Sequence, residues 1–227
     1  MEGRPLLLTE LAPLIGVPLS SCHGLVKTLL DSGYLYGMSR RRGFYPTRKL
    51  FTLARSIAAK DASLVRLEPH IEALRDMARE TVIVGTRQGD AVLYLQVEEG
   101  PETIRYSARP GDFKPLHSSA IGKALLARDG TAMAEKLRNL DLPAVTAQTI
   151  TDRDRLLADL AAGSERGYFV THDENVADVT AVARSIDIDG MILGIAIAGP
   201  SYRMQGRIDA MIGHLLPACD AMERDAR

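Results

Sequence analysis

Near the start of the chain, apolar residues recur at helical spacing: Leu8, Leu11, Ala12 and Ile15, then Val26, Leu29 and Leu30, with Leu25 at the edge. This period predicts two short helices, each with one apolar face. Thr9 is placed to cap the first, with Glu10 in its first turn and Gly16 at its end. Val17-Pro18 forms an extended corner, Ser20 is the expected cap of the second helix, and Gly33 stops it. The pattern then turns strand-like at Tyr34-Leu35-Tyr36 and again at Phe44-Tyr45, where Pro46 ends it. Residues 49–60 return to helical spacing through Leu50, Leu53, Ala54 and Ile57.

A longer pattern follows. Leu64, Leu67, Ile71, Leu74 and Ala78 mark a helix over 64–79. Strands are predicted at 81–86, 91–97 and 103–107, the first two joined by Gln88-Gly89-Asp90. A loop from Gly111 runs into a helix that Ser118 or Ser119 can cap and that continues past Lys123 to Ala127. A helix over 151–164, a strand after Arg166-Gly167, a hairpin of 181–188 and 191–198 around Asp189-Gly190, and a closing helix over 203–223 complete the order. There is no regular βαβ alternation, so an α+β fold with an antiparallel sheet is expected rather than a doubly wound one.

Composition adds two constraints. With 46% hydrophobic and 25% charged residues among 227, the chain reads as a globular protein of one or two domains, without an apolar run of the ~20 residues a membrane helix needs. No secretory signal is evident, so a cytoplasmic location is expected. Cys22 and Cys219 are too few for a disulfide framework or a thiolate metal cluster. The net charge of −1 is unevenly spread: residues 1–60 carry nine Lys/Arg against three Asp/Glu, and the acidic excess lies in the remainder. A basic segment joined to an acidic one points to a polyanionic partner for the first sixty residues.

The helical pair with its tight Gly-Val-Pro junction is a helix-turn-helix candidate. Its second helix offers Ser20, Ser21 and His23 near its start, with Lys27 farther along, the small polar and basic groups that a recognition helix uses in the major groove. The two strands after it form a wing tipped by Arg40, Arg41 and Arg42, which repel one another in isolation and gain beside phosphates. An enzyme reading is weak. His117, Ser118 and Lys123 have no acidic partner in sequence to complete a triad, and His172, Asp173 and Glu174 match no metal-ligand spacing. Neither a catalytic residue nor a metal or cofactor is expected.

Glu10-Leu11-Ala12, Gly16-Val17-Pro18, Ser20 to Val26, Thr28-Leu29 and Gly33-Tyr34-Leu35 together resemble the winged helix-turn-helix of the IclR family of bacterial regulators. The likeness extends through Gly111, Pro115 to Ala127, Arg166 to Tyr168, Glu174 and Ala198-Gly199-Pro200. It implies a winged helix-turn-helix over 1–48, a linker helix over 49–62, and over 63–227 an effector-binding domain with a curved antiparallel sheet and some likeness to the GAF fold. It also implies double-stranded operator DNA as partner, self-association to a dimer or dimer of dimers, and a small organic acid as effector.

By the same resemblance, the effector pocket is formed by Ser119, Ala120, Ile121 and Gly122, with Ala120 and Ile121 supplying backbone donors, and by Thr171, Ala181, Ala196 and Ala198. Three alanines where relatives carry polar groups imply a roomy pocket for a larger, partly apolar acid, an aromatic one among the candidates. Arg105 or Arg184 could pair with the carboxylate, and both also read as solvent-facing strand residues.

Two departures stand out. Gly24 falls where the family commonly has an arginine, which leaves base reading to Ser20, Ser21 and His23, or to Lys27 and the wing. The family's first helix would lie ahead of Met1, and without it Leu11, Ile15 and Leu29 are expected to be exposed. These departures keep open the alternative of an effector-binding or oligomerisation protein that no longer binds DNA. An enzyme of GAF-like architecture is a third possibility.

Overall fold

A computed structural model of the chain describes residues 4–38, 43–60 and 62–226. It divides into two compact units, Met1–Val65 and Arg66–Arg227.

In the first unit, α1 (Leu8–Leu14) and α2 (Leu19–Asp31) precede a hairpin of β1 (Leu35–Met38) and β2 (Gly43–Pro46), and α3 (Arg48–Lys60) follows. Both expected caps shift. The residue ahead of α1 is Leu7, whose N–H donates to Glu10 Oε2 at 2.7 Å, so Glu10 performs the capping expected of Thr9. Arg4 holds that carboxylate from outside at 2.9 Å, and together these bonds keep the Glu10 carboxyl below its ordinary pKa. Pro18 precedes α2, and Ser20 lies inside its first turn. Gly16 and Gly33 take positive φ values of 66° and 73°, as the two helix ends require.

Ala12, Cys22 and Val26 form the small core, with Leu8, Leu11, Leu30, Leu35 and Phe44 against it. Ile15 and Leu29 are exposed, at 51% and 39%, while Leu11 is half-buried. They border an apolar hollow together with Leu6, Leu25 and Phe44.

The second unit is built on a six-stranded antiparallel sheet of order β5-β4-β3-β8-β7-β6. Its elements are α4 (Ala62–Ala78), β3 (Thr81–Gln88), β4 (Ala91–Glu98), β5 (Phe113–Pro115), α5 (Ala120–Ala127), α6 (Met133–Asn139), α7 (Arg153–Arg166), β6 (Phe169–His172), β7 (Val179–Ile188), β8 (Met191–Pro200), the short α8 (Ser201–Met204) and α9 (Ile208–Asp225). Strand alternation assigns the faces. Ala181 and Ala183 of β7 and Ala196 and Ala198 of β8 pack with α5 and α7. Val182, Arg184 and Ile186 face the other way, where Arg184 reaches Asp220 of α9 at 2.8 Å. α4 lies on that side too, His70 meeting Asp225 at 2.9 Å.

The strand expected at 103–107 does not form, and the sheet edge is Phe113–Pro115 instead. Side-chain bonds take the place of a ladder in that segment. Thr81 Oγ1 donates to the Tyr106 carbonyl, Arg105 clamps Glu99 at 2.5 Å, and Tyr106 turns inward. Local strand propensity yields here to tertiary pairing.

Candidate functional site

In the first unit, α2 buries Cys22 and Val26 and presents Ser20, Ser21, His23, Gly24 and Lys27 to solvent. Their spacing puts Ser20, Gly24 and Lys27 on one stripe, flanked by His23 and by Ser21. A Cβ on Gly24 would meet nothing within 4 Å, so a bare patch interrupts the stripe. The hairpin is held by an edge-on pair of Tyr36 and Tyr45, ring centroids 6.1 Å apart. Lys49 is tied down, its Nζ donating to Ser32 O at 2.7 Å over the Tyr34 ring. Arg40, Arg41 and Arg42, expected at the wing tip, lie outside the described residues.

In the second unit, a cavity lies between the α5 start and the sheet. It is lined by Ser119, Ala120, Ile121, Thr171, Ala181, Ala196 and Ala198, and also by Ile83, Tyr94, Tyr106, Asn175, Val176 and Val179. Seven of the eight residues expected from sequence therefore come together. Gly122 does not line it. A Cβ there would stand 2.2 Å from the Leu116 carbonyl oxygen, so this glycine lets α5 close onto the preceding turn.

Ser119 caps α5, its hydroxyl accepting from Gly122 N at 3.1 Å and donating to Pro115 O at 2.8 Å. Lys123 N returns to Ser119 O at 2.9 Å. In this first turn the amides of Ala120 and Ile121 have no carbonyl within the helix to bond, and they form the positive end of the helix dipole. Ile121 rests on Gly85 and Gly194, whose missing side chains let α5 approach the sheet closely.

The cavity is tighter than three alanines imply. Its volume is only ≈ 30 Å³, about the share of one water molecule in the liquid. Tyr94, Tyr106 and Val176 stand in the lining beside the alanines. Arg105 and Arg184 are both absent from the lining. Arg105 is engaged by Glu99, and Arg184 stands on the opposite face of the sheet. Sequence reasoning missed Tyr94, Tyr106 and Asn175. A tyrosine at an inward strand position, as Tyr94 is, is the signal available for the first of them.

One wall is the loop between β6 and β7, where Asp173 and Asp178 take positive φ values of 59° and 61°. Fully buried Lys123 reaches it, its Nζ lying 2.8 Å from Glu174 Oε2 and 2.7 Å from Asp159 Oδ2. Burial raises the Glu174 pKa and the Lys123 charge opposes the rise. Thr146 and Thr149 bond the carbonyls of Asp173 and Glu174 at 2.6 and 2.7 Å.

The residues that could suggest catalysis are engaged elsewhere. His117 Nε2 meets the Pro143 carbonyl at 3.0 Å, and burial lowers its pKa. Ser118 donates to Asn175 Oδ1 at 3.2 Å, and His172 lies 3.3 Å from Thr180 Oγ1. Among the described residues no group of three or more His, Cys, Asp or Glu is placed to hold a metal ion. No helix among them is long and apolar enough to cross a membrane.

Comparison with known proteins gives a consistent result along the chain. The model of the IclR helix-turn-helix domain matches residues 2–37, and that of the bacterial transcriptional regulator IclR C-terminal region matches 61–224. The HTH-type transcriptional regulator BhcR of Paracoccus denitrificans is 32% identical over 217 residues, covering 94% of this chain and 78% of its own. KdgR of Dickeya chrysanthemi is 28% identical over 206 residues, covering 89% and 67%. Among solved structures, an IclR homologue from Microbacterium hydrocarbonoxydans complexed with 4-hydroxybenzoate shares the fold with a TM-score of 0.83 at 23% identity, over 100% of this chain and 93% of that one. The Thermotoga maritima IclR does so at 0.79 and 22%, over 99% and 92%.

Proposed function

The chain belongs to the IclR family of bacterial DNA-binding transcriptional regulators, and from that premise we propose that it binds operator DNA under the control of a small organic acid, an aromatic one in particular. In this reading residues 1–48 engage the DNA, 49–62 form the linker helix, and 63–227 bind the effector. Ser20, Ser21, His23 and Lys27 face the major groove, and Arg40, Arg41 and Arg42 meet phosphates. The protein acts as a dimer or dimer of dimers, because each recognition helix needs its own half-site.

The observation that carries the effector reading is the cavity itself. The free amides at the α5 start offer a home for a carboxylate, and the floor of Ala181, Ala196 and Ala198 offers apolar contact to the rest of the molecule. The 4-hydroxybenzoate bound by the Microbacterium homologue supports an aromatic acid. Two walls, 101–112 and 173–178, are irregular segments, so widening the cavity for a ring does not require breaking the sheet. A ligand that prefers the widened state can shift a regulatory equilibrium only through that difference in affinity.

A band-shift assay on the protein's own promoter region tests the DNA reading. A specific complex is expected, and replacing Arg40, Arg41 and Arg42 together by alanine should weaken it and flatten its salt dependence. No complex at low salt would sink the reading. Calorimetry with glyoxylate, pyruvate and aryl acids tests the effector. Micromolar binding of the two small acids alone would refute the aromatic assignment.

A further inference from the structure

The cavity has chemistry that a carboxylate and a hydrocarbon body do not use. Its lining contains no charged side chain, so its polar character comes from Tyr94, Tyr106, Ser119, Thr171 and Asn175. Ser119 is spent on the α5 cap. Thr171 and Asn175 stand on the β6 side, and Tyr94 stands on β4, with β7, β8 and β3 between them.

Both tyrosines are fixed through their backbones. Tyr94 N donates to Asp112 O at 2.9 Å, and its own carbonyl accepts from Gly111 N at 2.8 Å. The Tyr106 carbonyl accepts from Thr81 Oγ1, which in turn accepts from Gly100 N at 3.1 Å. Both rings are buried, at 4% and 8% exposure. Both tyrosines line the cavity, and burial first, with the Tyr106 neighbour next, holds the Tyr94 phenol far above its ordinary pKa. A phenol hydroxyl carries one donor and acceptor lone pairs, so each tyrosine can meet a neutral oxygen of a ligand. A second carboxylate placed there would have no cation beside it, and burying an unpaired charge is costly.

Resting on the acid-effector reading above, we propose that Tyr94 and Tyr106 are specificity-determining residues. They select acids that carry, besides the carboxylate, a neutral hydroxyl or carbonyl oxygen, and they reject dicarboxylates. A buried site built to hydrogen-bond an oxygen discriminates against the analogue lacking it, because its own polar groups are then left unpaired.

The test is calorimetry on the full-length protein with two matched pairs, benzoate and 3-phenylpropionate each against its 4-hydroxy derivative, and with terephthalate as the dicarboxylate. The wild type should favour the hydroxylated member of at least one pair by about tenfold. Tyr94→Phe and Tyr106→Phe keep the rings and should each cut that preference to about twofold, leaving the unsubstituted acid within twofold of its wild-type affinity. Unchanged thermal midpoints would exclude a folding artefact. Acids that bind without any preference, a preference undiminished in both variants, or terephthalate bound as tightly as a hydroxy acid would each overturn the proposal while leaving the acid reading intact. If no acid of either pair binds the wild type, the acid reading itself fails and the proposal falls with it.

Discussion

Lys123→Met removes the cation from a buried cluster while keeping an unbranched side chain one atom shorter. The wild-type ammonium is fully buried and lies within 3 Å of both Asp159 and Glu174. Glu174 has a side chain only 10% exposed, whereas Asp159 at 31% retains access to water. Loss of one partner from such a pair costs roughly 3–5 kcal/mol, because the carboxylate left behind is neither solvated nor paired. For a unit of this size each kcal/mol moves the melting temperature by about 2–4 °C, so the fall should be roughly 6–20 °C.

The pH dependence gives a second, independent readout. In the wild type, burial raises the Glu174 pKa and Lys123 restrains it. Without Lys123, burial and the Asp159 charge are opposed only by the backbone hydrogen bond from Ile150, and the pKa climbs further. A carboxyl whose folded pKa lies above its unfolded value contributes stability at low pH and loses it as pH rises through the folded pKa. Scanning calorimetry should therefore find Lys123→Met closer to wild type at pH 5 than at pH 8. Adding Glu174→Gln removes the stranded charge and should recover most of the pH 8 loss. A single variant within about 1 kcal/mol of wild type at pH 8, or a loss equal at both pH values, would refute this account of the cluster.

Other substitutions test separate parts of the structure. Gly24→Arg places a side chain in open space in the middle of α2, so chemical denaturation should show the first unit stabilised by about 0.8 kcal/mol, and band shifts should show altered preference among operator variants; unchanged stability would contradict the open geometry. Gly122→Ala forces a Cβ onto the Leu116 carbonyl and should cost about 3 kcal/mol of stability in the second unit, with a cost under about 1 kcal/mol arguing against so close an approach. His117 is held neutral by burial, with its folded pKa below the unfolded value near 6.5. Its contribution is therefore complete above that pH and is lost as pH falls through it, by at most about 1.4 kcal/mol per pH unit. Comparing melting temperatures at pH 8 and pH 5.5, His117→Gln should show a smaller drop than wild type, and parallel profiles would exclude the effect.

What the sequence made legible was local or carried by motif. The helix pair, the hairpin strands, the Ser119 cap and the Asp189-Gly190 turn each rest on a few neighbouring residues, and each forms as expected. The misplaced caps of α1 and α2 are local too, but there two signals competed. Thr9 had the better capping chemistry, yet Glu10 reached back one turn to the Leu7 amide and moved the boundary. Segment 103–107 has strand-like residues, but its bonds come from Thr81 and Glu99, which sequence spacing does not connect to it.

The cavity takes this further. Its alanine floor could be placed from the resemblance, and alanines alone suggest room. Other walls come from outside the strands: Tyr106 from an irregular segment and Val176 from the loop that carries the left-handed Asp173 and Asp178. That loop is itself anchored by Lys123 through Glu174, 51 residues farther along the chain. Residues at fixed strand positions thus determine the character of the floor, while the cavity's size and polarity depend on segments whose only link to it is tertiary. On the proposed effector reading, specificity can therefore change through positions 106 and 176 while the α5 start and the alanine floor stay as they are.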